Sequence, residues 1–144
     1  MTLDRHLHGA WLSLRIGLGL MALLAGIDKF FNLLTSWTMY VSPLAERVLP
    51  VTPEVFMPVI GLVEVGVGLA ILTAWTRTGA YVAAVWLVAI ALNLTSTGMF
   101  LDLAVRDVVL ALAAYTLARL TEAQAAESVA GDASLGHAHL LIRP

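Results

Sequence analysis

Apolar residues run along this chain in four long blocks, at about 11–34, 54–75, 79–100 and 102–120, separated by short polar breaks. At 1.5 Å per residue each block is long enough to cross most or all of a hydrocarbon core of about 30 Å as a helix. The connections are short, so the pattern predicts an up-down-up-down bundle of four transmembrane helices.

Within the blocks, small and charged residues recur at helical spacing. Arg15, Gly19, Ala22, Gly26 and Lys29 fall at steps of four, three, four and three, so they form one stripe on the first span. Gly61, Glu64 and Gly68 make a second stripe, and Asp107, Ala111, Ala114 and Ala118 a third. In lipid, helices associate by close packing of small residues and by turning polar groups inward. Gly19, Ala22, Gly26, Gly61, Gly68, Ala111 and Ala114 are therefore read as helix-packing positions.

Residues 35–53 break the pattern with Pro43, Pro50 and Pro53. Ser42 followed by Pro43 is a helix start, a capping side chain before a preset first turn. A short helix over 43–49 is expected, either lying at the interface across the mouth of the bundle or as part of an anchored loop with Trp37 and Tyr40. After Arg119 the chain turns polar. The four spans thus form a membrane domain over 1–120, and 121–144 reads as a helix extension and then, from about Val129, a flexible tail.

Composition agrees with a membrane protein. The 144 residues are 60% hydrophobic and 12% charged, against about 25% charged in a soluble domain. The net charge of −2 and the lack of a basic patch give no reason to expect a nucleic-acid partner. The first block is too long for a signal-peptide core and is read as a retained span. Arg5, Arg77, Arg119 and Arg143 fall on one side and Arg47 on the other, which places both termini in the cytoplasm.

The chain has no cysteine, which removes thiolate chemistry and Cys-held clusters. Its histidines, His6, His8, His137 and His139, are all outside the spans, so neither haem nor metal is expected from this chain. The His-Ala-His of 137–139 has metal-touching spacing but no third ligand in view, and reads as solvated tail.

The remaining candidates are charges at membrane depth. Asp28 and Lys29 end the first span, Glu64 is near the middle of the second, Asn93 lies in the outer half of the third, and Arg106 and Asp107 begin the fourth. A charge at the bilayer centre costs at least about 2.5–3.5 kcal/mol. Asp28, Lys29, Glu64, Asn93, Arg106 and Asp107 form a candidate polar site in the outer half of the bundle. By sign, three carboxyls face two cations and one carboxyl is left over. A structural reading stands beside the functional one: Lys29 with Asp107, or Arg106 with Asp28, as ion pairs that fix helix order. Arg15, at the opposite end, reads as a residue snorkelling to the interface.

In their order, the Arg15-x-Gly17 of the first span, AGIDK at 25–29, LVEVGVGL at 62–69 and RD at 106–107 resemble the DoxX-like family of small four-helix bacterial membrane proteins. The resemblance covers about residues 11–120. It implies a place in the bacterial inner membrane and a link to membrane oxidoreductase systems, such as a subunit of thiosulfate:quinone oxidoreductase. It also implies a protein partner or a homo-oligomer. On this reading the chain is not catalytic alone, and quinone is the expected ligand of the polar site. The alternatives are a non-catalytic anchor or assembly module and, ranked last, a small oligomeric transporter.

Overall fold

A computed structural model describes residues 2–141, with side chains described over 5–130. The chain is all helical, with no strand among the described residues. In order come α1 (Thr2–Asp28), a 3-10 turn (Trp37–Tyr40), α2 (Pro43–Val48), α3 (Pro53–Leu72), α4 (Thr76–Thr97) and α5 (Leu101–Leu141). Three segments are long and apolar enough to cross a membrane: Arg5–Asp28 of α1, α3 and α4. α5 is not among them and carries Asp102, Arg106 and Asp107 in its first two turns.

The helices pair through their small residues. α1 and α3 run antiparallel in backbone contact, Gly19 on Gly68 and Gly26 on Gly61. A Cβ added at Gly26 would stand 2.7 Å from the Gly61 carbonyl oxygen, so the approach depends on glycine. α4 and α5 pair through buried alanines, among them Ala80, Ala83 and Ala91 on one side and Ala104, Ala111, Ala114 and Ala118 on the other. Ala22, on the same stripe as Gly19 and Gly26, also lines a cavity.

The two pairs meet tightly at one end. There Thr76 Oγ1 donates to the Ile71 carbonyl (2.9 Å) across the α3–α4 turn, and Trp11 Nε1 donates to Thr121 Oγ1 (2.8 Å) from α1 to α5. Arg15 forks onto the last carbonyls of α3, with Nε donating to Ile71 and Nη2 to Leu72 and Thr73. It caps a helix C-terminus, whose carbonyls lack intrahelical donors, rather than snorkelling to the interface.

The expected boundary of the first span needs correction. α1 ends at Asp28, six residues before Leu34. The Asp28 carboxylate accepts from the backbone N–H groups of Leu33 and Leu34, and Asn32 takes a positive φ of 53°. This local bonding competes with further helix and turns the chain back. α3 and α4 each begin and end slightly earlier than their apolar blocks, because the turn between them is at 73–75. The segment from about Val129, read as a disordered tail, continues as helix to Leu141; its three alanines and three leucines favour helix.

Residues 29–52 form a strap across the wide end. Ser42 Oγ accepts from Ala45 N–H and caps α2 as expected. Val41 and Ser42 are buried, and the Tyr40 ring packs edge-on against Phe100 at 4.9 Å.

Candidate functional site

At the wide end the helix pairs diverge and leave a cavity of about 600 Å³. All four long helices and the strap contribute to its wall, which is mainly apolar. Five of the six expected polar residues line it: Lys29, Glu64, Asn93, Arg106 and Asp107.

Lys29 and Glu64 form its buried charge pair. The Lys29 Nζ is 2.6 Å from Glu64 Oε2, with side chains only 5% and 9% exposed. The Gly26–Gly61 contact brings them together: a Cβ added at Gly61 would stand 3.0 Å from Lys29 Cβ and one added at Gly26 would stand 3.0 Å from Glu64 Cβ, so each charged side chain starts opposite the other stripe's glycine and reaches back across the contact. The ammonium also lies 3.7 Å from the Trp37 ring centroid, a cation–π contact in a desolvated place. Trp86 Nε1 points at the second Glu64 oxygen from 3.5 Å, the outer limit of a hydrogen bond. Glu64 thus faces donors from the first residue of the strap and from α4.

Asp107 is buried while its partner is not. Arg106 Nε and Nη2 reach Asp107 Oδ1 at 3.0 and 2.9 Å. The Arg106 side chain is 59% exposed. The pairings therefore differ from the two interhelical ones expected: Lys29 meets Glu64, and Arg106 meets its own neighbour. The carboxyl left without a cation is Asp28, which is not part of the cavity wall. Four N–H···O contacts satisfy it, one from Leu33 N–H, two from Leu34 N–H and one from Trp37 Nε1 (2.8 Å).

Asn93 has a positioning role. Its Oδ1 accepts from Ser42 N–H (3.2 Å) and its Nδ2 donates to the Tyr40 carbonyl (2.7 Å). It ties the strap to α4.

The family scan bears on this half of the molecule. The DoxX family model matches residues 10–96, more than half of the chain. The chain belongs to the DoxX family. With its apolar helices, that makes it a multi-pass membrane protein. A comparison with curated proteins and one with solved structures found no match. The DoxX match takes in Lys29, Trp37, Glu64, Trp86 and Asn93 and ends before α5. Arg106 and Asp107 therefore join the site on geometry alone.

Two residues of this DoxX site escaped the sequence reading. Trp37 reads as an interfacial anchor, because aromatic belts place tryptophan at span ends. Trp86 lies in the middle of α4, away from either interface, and that depth is the signal that could have found it. Among the described residues no group of three or more His, Asp or Glu side chains is arranged to hold a metal ion. The side chains of His137 and His139 lie outside the described residues.

Proposed function

We propose that this DoxX-family protein is a quinone-binding subunit of a membrane oxidoreductase system. On this reading α1, α3, α4 and α5 all cross the bacterial inner membrane, with both termini cytoplasmic and the strap on the outer side. Arg5, Arg77 and Arg119 against Arg47 support that orientation.

The observation that carries the reading is the cavity. Its volume falls in the roughly 300–1,000 Å³ of small-molecule sites, and it combines apolar walls with a few converging polar groups. The charges on its wall balance, Lys29 and Arg106 against Glu64 and Asp107, which favours a neutral head over an anion. Lys29, Trp86 and Arg106 supply N–H donors for the oxygens of such a head. Glu64 and Asp107 are the groups placed to exchange protons with it. Electrons would come from a partner protein.

The test is a quinone titration of the purified protein. Trp37 and Trp86 line the cavity, so binding should quench tryptophan fluorescence and raise the thermal midpoint. A titration that moves neither sinks the reading.

A second reading, a membrane anchor for a partner complex, draws on the internal satisfaction of the charges: Lys29 with Glu64, Arg106 with Asp107. It is separated by the double variant Lys29→Met/Glu64→Gln, which removes both charges together and strands neither. For an anchor the assembled double-variant complex stays active, whereas for a quinone site it is assembled and inactive.

A further inference from the structure

The cavity has four sides, and they differ in chemistry. Below it the helices close on fully buried Ile71 and Leu117. Above it the strap is held by Asn93 and by the Trp37 bond to Asp28. Towards α1 and α5 the exposed Arg106 guanidinium stands in its wall. Hydrocarbon is disfavoured beside an exposed charge.

The side between α3 and α4 is unlike these. Phe56, Met57 and Ile60 border it on α3, and Ala89 and Ile90 on α4. Its lower edge is the Trp86–Glu64 contact and its upper edge is Asn93. Trp86 and Asn93 are seven residues apart, which makes this side about 10 Å high. Ala89 both lines the cavity and is exposed on the outer surface of α4, so the wall is one methyl group thick there.

We propose that this thin side between α3 and α4 is a lateral portal. Through it the ligand enters from the bilayer, head first, and its hydrocarbon tail stays threaded between Phe56, Ile60 and Ala89. This rests on the quinone reading and narrows it: the ligand is a tailed amphiphile dissolved in the membrane, not a water-soluble quinone. About 600 Å³ holds a head and the start of a chain, and the remainder must leave by an apolar exit.

The test compares decylubiquinone with its tail-less parent quinone on full-length protein in nanodiscs, read by tryptophan quenching. The wild-type chain has no cysteine, so Ala89→Cys carries a single bulky maleimide label. Leu92→Cys, on the lipid-facing side of the same helix, is the labelled control, and Ala89→Phe is the unlabelled check. The labelled Ala89 site and Ala89→Phe should slow association of the tailed quinone about tenfold or more. The labelled Leu92 site should not. Wild-type should also bind the tailed quinone more tightly than the tail-less one. Equal slowing at both positions, no slowing at Ala89, or equal affinity for the two quinones overturns the portal and leaves the quinone reading standing. Failure of wild-type to bind either quinone overturns both.

Discussion

Lys29, the first residue after α1, and Glu64 on α3 meet at 2.6 Å inside a core made mostly of glycine, alanine and aliphatic side chains. Each carries a charge that neither lipid nor the cavity wall would solvate well. Removing one partner strands the other, which in buried pairs costs about 3–5 kcal/mol. Lys29→Met alone should lower the thermal midpoint in detergent sharply. Adding Glu64→Gln should restore most of the loss, because the neutral amide can still accept from Trp86. A double variant no more stable than Lys29→Met would show that the pair is not the source of the cost.

The pair depends on the backbone contact beneath it. Gly26→Ala places a methyl carbon against the Gly61 carbonyl and Val65 N–H, groups that cannot rotate away. We expect a destabilisation of about 1–3 kcal/mol by overpacking. Gly66→Ala, with nothing within 4 Å of the added carbon, should be neutral or stabilising by about 0.5–1 kcal/mol through helix propensity. Thermal unfolding of the two side by side checks both the sign and the contrast.

Asn93 predicts a local effect. Asn93→Ala removes the donor to Tyr40 and the acceptor for Ser42. Amide hydrogen exchange over residues 37–48 should rise by an order of magnitude or more, about 1.4 kcal/mol per tenfold. Exchange in the middle of α3 and α4 should not change. Uniformly faster exchange across all helices would make Asn93 part of the global core instead of a tie for the strap.

Three of the expected spans, in α1, α3 and α4, were legible because bilayer thickness and helix rise leave few choices for an apolar block. Their small-residue stripes were legible too, since Gly19, Gly26, Gly61 and Gly68 recur at helical spacing and do make the α1–α3 contact. Partners across helices were not. Periodicity says which face a residue occupies, not which residue of another helix stands opposite. Lys29 could be matched with Asp107 on depth alone, and only the three-dimensional register of the glycines selects Glu64. Asp28 shows a different limit. A carboxylate at membrane depth implies a cation until the chain is seen to fold back and supply N–H groups from Leu33, Leu34 and Trp37. Arg15 repeats the point at the other end, where its partners are backbone carbonyls that no side-chain pattern announces.

Trp37 touches both residues of a consecutive pair, donating its N–H to Asp28 and laying its ring over the Lys29 ammonium. The cover of the cavity and the charge inside it are therefore one mechanical unit. Any pull on the strap, whether from a docking protein or from a change of lipid, is felt as a weaker hold on the lysine. In this indole the protein has a lever from its surface to its interior.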